Sequence, residues 1–137
     1  MGASHVDGRA YGFKSTEYIL EKMMPWIVEQ GKKMLILLSY SQGSVMRTIK
    51  GNGRFDDVFI EYLERNKIPC VDGLQKHVDD YQDFKITPEE YMDRCYIKAA
   101  AAAVFGHYSP TGNHFYAISI KNEILDWLDP KPPAYRD

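Results

Sequence analysis

The apolar residues of this chain follow two rhythms, and the changes between them mark out its elements. After Ser15 and Thr16, either of which can cap a helix, Ile19, Leu20, Met23 and Ile27 recur at helical spacing. Pro25 is expected to kink or split that helix, and Gly31 to end it. Met34-Leu35-Ile36-Leu37-Leu38 is then a continuous apolar run, the pattern of a strand covered on both faces. A polar loop, Ser39–Ser44, leads into one or two helical turns over residues 45–50, which Gly51-Asn52-Gly53 breaks. A further helix starts near Asp56 or Asp57, with Phe55, Phe59, Tyr62 and Leu63 on one side. It runs into a short strand, Ile68 to Val71, where Asp72-Gly73 turns the chain away. Residues 74–86 are polar and read as loop. Thr87-Pro88-Glu89-Glu90 is the strongest local signal: a capping threonine, a proline in the first turn and a glutamate that reaches back. The helix it starts takes in Tyr91, Met92 and Tyr96, and alanine's propensity prolongs it through Ala99–Ala103. A small-residue strand ending at Val104 is the rival reading of that segment. Ser109-Pro110 starts a last helix carrying Phe115, Ile118, Ile124, Leu125 and Leu128, which Asp129-Pro130 stops.

The order helix–strand–helix–strand with apolar strands implies parallel pairing and an α/β fold. Residues 1–14 read as an irregular arm, 15–129 as a single α/β domain, and 130–137 as a Pro-rich extended tail. Hydrophobic content of 45% with 13% aromatics indicates a globular chain rather than a disordered one. The ten tyrosines, with Trp26 and Trp127, fall mostly at core-like spacings.

A formal charge of −2 supplies no basic field, so neither nucleic acid nor an anionic membrane is an expected partner. No apolar run approaches the length of a membrane span, and Met1–His5 lacks the basic and apolar regions of a signal peptide. Cys70 and Cys95 have no CxxC spacing and read as buried thiols. His77 with Asp79 and Asp80 fits no zinc signature and reads as part of a solvated acidic loop. No metal or cofactor is implied.

The candidate chemistry centres on Phe105-Gly106-His107-Tyr108-Ser109-Pro110-Thr111-Gly112-Asn113-His114. His107 stands on a short loop directly before a capped helix start, which holds the loop's exit in place. His107-Tyr108-Ser109-Pro110-x-Gly112-Asn113 resembles the last block of the SGNH (GDSL-type) serine hydrolases, over roughly residues 100–136. By that resemblance His107 is the general base. The fold implied is a three-layer, flavodoxin-like α/β sandwich with a small parallel sheet, incomplete in these residues. The family places an Asp two or three residues before its histidine. Phe105 and Val104 occupy those positions here, which leaves a Ser–His dyad.

The serine has two candidate sources. Ser39-Tyr40-Ser41-Gln42-Gly43 follows the first strand and is similar to the small-x-Ser-x-small nucleophile elbow of α/β-hydrolases, with Ser41, Asp72 and His107 in that fold's Ser–acid–His order. Its first position is Ser39 rather than Gly, and residues 1–33 are too few for the strands that fold places upstream. In the SGNH family the nucleophile and oxyanion donors lie on early strands before the histidine block, and this chain contains no Gly-Asp-Ser. The resemblance therefore implies a C-terminal segment of an ester hydrolase for acyl or acetyl esters, including esters on carbohydrate. That segment supplies the base and not the nucleophile, and is inert alone. Two alternatives stand beside it: a non-catalytic α/β binding module, and a small esterase using Ser41. A half-sheet leaves a strand edge open, so association through that edge is expected.

Overall fold

A computed structural model describes residues 8–97 and 107–129. In chain order its elements are α1 (Gly8–Glu29), β1 (Ile36–Leu38), α2 (Gln42–Ile49), α3 (Asp57–Arg65), β2 (Cys70–Asp72), α4 (Gly73–Gln82), α5 (Pro88–Cys95) and α6 (Pro110–Leu128). Their contacts divide the described chain into two units: residues up to Met34 with Asp56–Pro69, and Leu35–Phe55 with the residues from Cys70 onward.

In the first unit α1 packs on α3. Helix α1 begins at Gly8, inside the stretch expected to be an irregular arm, and Ser15 and Thr16 lie within it rather than capping it. Phe13 explains the earlier start: its ring stacks on Phe59 at 5.4 Å, so the first turns have an apolar anchor. The Lys14–Glu17 ion pair (2.7 Å) and the Thr16 hydroxyl, which donates to the Gly12 carbonyl (3.0 Å), add local support. Pro25 sits inside the helix without dividing it. The helix ends where expected: Gly31 takes a left-handed φ of 62°, and Lys32 N donates back to Ile27 O at 3.0 Å. Leu20 and Ile27 are buried, but Ile19, Met23 and Trp26 are exposed. Trp26 is therefore not a core residue; the Lys32 ammonium lies over its ring at 5.2 Å. Tyr62 donates to the Glu17 carbonyl (3.2 Å), and Phe59, Leu63 and Ile68 are buried.

The second unit is built on the parallel pair β1–β2, in register Ile36↔Cys70 to Leu38↔Asp72. Among the described residues this two-stranded sheet and the helices around it make a helix-rich chain that is α/β in the broad sense. Among the described residues Leu37 is 42% exposed, unlike a strand covered on both faces.

Residues 74–86 were expected to be loop, but the ten-residue helix α4 (Gly73–Gln82) takes up most of them. The reason is a cap. Asp72 Oδ1 accepts the N–H groups of Leu74 (3.0 Å) and Gln75 (3.2 Å), satisfying two of the donors a helix start leaves orphaned. The Thr87–Glu90 capping box forms as its sequence indicates. Helix α5 stops at Cys95, and Tyr96 is extended (φ −122°, ψ 148°), so the expected prolongation ends there. The chain does so because Tyr96 bridges Tyr108 in antiparallel fashion and their rings stack at 4.9 Å. Ala99–Ala103 and Val104 lie outside the described residues. Helix α6 starts at its Ser109 cap and ends at Asp129 in the left-handed region (φ 46°). Val45, Leu74, His77, Tyr91, Met92, Cys95 and Tyr96 form the buried centre of this unit. Among the described residues no helix is long and apolar enough to cross a membrane.

Candidate functional site

The carboxyl ends of β1 and β2 are Leu38 and Asp72. In open α/β sheets such ends are where ligands bind, since the loops that leave them converge there. Asp72 is fully engaged: Oδ1 caps α4 and Oδ2 forms an ion pair with Arg54. Arg54 also donates to the Tyr40 hydroxyl (3.0 Å) and lies over its ring. Ser41 caps α2, its Oγ accepting from Ser44 N (3.4 Å) and sharing a hydrogen bond with Ser44 Oγ (3.1 Å). Its backbone is relaxed (φ −68°, ψ 155°), whereas a nucleophile elbow holds its serine on a sharp, strained turn.

His107 is exposed, on the segment between the Tyr96–Tyr108 bridge and α6. Its carbonyl accepts from Ile97 N (2.8 Å). Alternation along an extended strand sends its side chain away from that of Tyr108, which turns inward. The exit from this segment is fixed three times over. Ser109 N donates to Cys95 O (2.9 Å), Ser109 Oγ donates to Arg94 O (2.6 Å), and the same Oγ accepts from Gly112 N (3.0 Å). Gly112 is what permits the approach: a Cβ there would sit 2.0 Å from the Cys95 carbonyl oxygen and 2.8 Å from the Tyr108 ring. Gly112→Ala must therefore push α6 off α5, and we expect a loss of roughly 2–4 kcal/mol in urea denaturation. Tyr108 in turn stacks on Tyr116 at 5.5 Å, and the Tyr116 hydroxyl donates to Leu38 O (3.3 Å). The segment carrying His107 is thereby tied to the carboxyl end of β1. Gly73 packs into the same corner, where a Cβ would lie 2.3 Å from Leu38 O.

His77, expected in a solvated acidic loop, is instead fully buried on α4. Its Nδ1 lies 3.0 Å from the Tyr91 hydroxyl, and its Nε2 lies 2.8 Å from that of Tyr108 and 3.4 Å from that of Tyr96. Proton counting fixes the direction of these bonds. Tyr91 gives its single proton to Asp80 Oδ2 (2.8 Å), so Nδ1–H donates to Tyr91. Tyr96 gives its proton to Tyr40 O (3.1 Å), which leaves Tyr108 as the donor to Nε2. The imidazole is thus held neutral, as one definite tautomer, and burial lowers its pKa from 6.5 to about 4. The same burial, together with the bond to Asp80, raises that of Tyr91. The sequence did carry a signal for this: Leu74, His77, Tyr81 and Phe84 recur at helical spacing behind a capping Asp72.

Of the remaining candidates, Asp79 accepts from Gln75 (2.8 Å) and His114 is exposed on α6. Of the two cysteines expected to be buried thiols, Cys95 is buried and its pKa is pushed up by that burial, whereas Cys70, on β2, is only half-buried. Among the described residues, no group of three or more His, Cys, Asp or Glu side chains is placed to hold a metal ion. Comparison with protein-family models, with curated proteins and with solved structures found no match.

Proposed function

We propose that this chain is the C-terminal part of an SGNH-type ester hydrolase in which His107 serves a serine carried on a segment outside these residues. The observation that carries the proposal is the placement of His107: an exposed imidazole on a segment locked, through Tyr108 and Tyr116, to the carboxyl end of a parallel strand. The sheet supports it: among the described residues it has two strands and Leu37 is 42% exposed, whereas parallel sheets are ordinarily covered on both faces. Further strands and a third layer would make the flavodoxin-like sandwich.

In this reading the neutral imidazole of His107 takes the serine proton as the oxygen attacks the ester carbonyl, then gives it to the leaving alcohol. A water molecule, deprotonated by the same imidazole, releases the acid. The substrates are acyl or acetyl esters, including those on carbohydrate. Phe105 and Val104, standing where an acid would orient the imidazole, favour a second reading as a non-catalytic binding module. Extending the polypeptide through the reading frame upstream of Met1 separates the two. The extended protein is expected to contain a Gly-Asp-Ser segment and to hydrolyse p-nitrophenyl acetate, while the 137-residue chain does not. A stop codon directly upstream, with an inert chain that is a stable monomer, would overturn the hydrolase reading and favour the binding module.

A further inference from the structure

We propose that a cavity of about 340 Å³ among α4, α5 and α6 is a binding site for a small monocarboxylate with an apolar body. This inference is independent of the role of His107. The cavity is lined by Asp80, Phe84, Arg94, His114, Phe115 and Ile118, among others, and its size falls at the lower end of small-molecule sites. Its apolar wall is Phe84, Phe115 and Ile118.

Arg94 supplies the anchor. Among the described residues its guanidinium has no carboxylate partner; its charge rests over the Phe84 ring at 4.8 Å. Stacking of this kind fixes the guanidinium plane and leaves its N–H edge available for a bidentate carboxylate. His114, which also has no ionic or hydrogen-bond partner among the described residues, offers a second donor from α6. Asp80 sets the limit on charge. Its carboxylate lines the same cavity, held in place by Tyr91, and repels a second negative charge. The Arg94 guanidinium, with His114 beside it, favours a carboxylate over its amide, and Asp80, which opposes negative charge, makes the more highly charged inorganic phosphate the poorer ligand.

The test is a titration of the full chain, followed by two-dimensional NMR, with phenylacetate, phenylacetamide and inorganic phosphate. Phenylacetate is expected to give saturable shifts at the amides of Arg94, His114 and Phe115, with phenylacetamide and phosphate at least about tenfold weaker. Arg94→Gln should weaken phenylacetate by at least about tenfold and leave phenylacetamide unchanged. Because Arg94 is exposed, its substitution is not expected to disturb the fold. Should the variant fail to fold, the comparison of the three probes on the unsubstituted chain still decides. No saturable shifts, shifts that map elsewhere, equal binding of the amide, or full binding by Arg94→Gln would each overturn the proposal.

Discussion

In the extended polypeptide proposed above to be an ester hydrolase, His107→Ala is expected to lower kcat for an acetyl ester by at least about 10³-fold while the protein stays folded. The size of the effect follows from the role. Without a base the serine must attack as a neutral alcohol, and the leaving oxygen departs without a proton. What remains is the rate that binding and oxyanion donors provide. Retained folding follows from the position. His107 is exposed, and the bond that fixes its segment, Ile97 N to His107 O, involves the backbone, which alanine keeps. Partial recovery of His107→Gly by added imidazole would separate a missing base from a displaced loop. A kcat within tenfold of the unsubstituted protein would remove His107 from the chemistry.

Stability is expected to fall by roughly 2–3 kcal/mol between pH 7 and pH 4.5, with His77 as the cause. In the folded chain its pKa is lowered to about 4; an unfolded chain titrates it near 6.5. Between those values the unfolded state binds a proton that the folded state refuses. The stabilisation is therefore complete above pH 6.5 and is lost as pH falls towards 4. Hydrogen bonding agrees in direction, since Nε2 already accepts from Tyr108 and a second proton there has no acceptor without that hydroxyl turning round. The carboxylates of Glu89, Glu90 and Glu123 are held low by Lys50, Thr87 and Lys76 respectively, and they lose their partners only at still lower pH. Urea midpoints across this range, compared with those of His77→Gln, check the assignment. The variant should be less stable at pH 7 by about 1–3 kcal/mol and much flatter below it. An unchanged slope in the variant would clear His77.

The sequence disclosed this fold unevenly, for reasons that particular residues make plain. Caps and breakers were readable: Thr87 with Glu90, Ser109 with Pro110, Gly31 and Asp129 all act where their chemistry indicates. Contacts distant in sequence were not. Phe13 draws the first helix back to Gly8 because it finds Phe59, and Tyr96 ends α5 because it finds Tyr108. Helix α4 was the least legible element, because its polar composition masks the helical spacing of its few apolar residues. His77 looks like part of a solvated run with Asp79 and Asp80 until Leu74 and Tyr81 are set beside it on one helical face. Around His107 the capped start of α6 was legible as a local motif, whereas the Tyr108–Tyr116–Leu38 tether was not. The need for glycine at 112 follows from the Cys95 carbonyl against it, which no local pattern reveals.

In the proposed hydrolase the base lies in these residues and its serine does not. A fluorophosphonate probe, followed by peptide mapping, distinguishes the two locations when applied to the 137-residue chain and to the upstream-extended polypeptide side by side. No residue of the shorter chain is expected to be labelled, and the longer one is expected to be labelled at a single Gly-Asp-Ser serine, with His107→Ala abolishing the label. Labelling of Ser41 in the shorter chain, or labelling of the longer one that survives His107→Ala, would overturn this assignment.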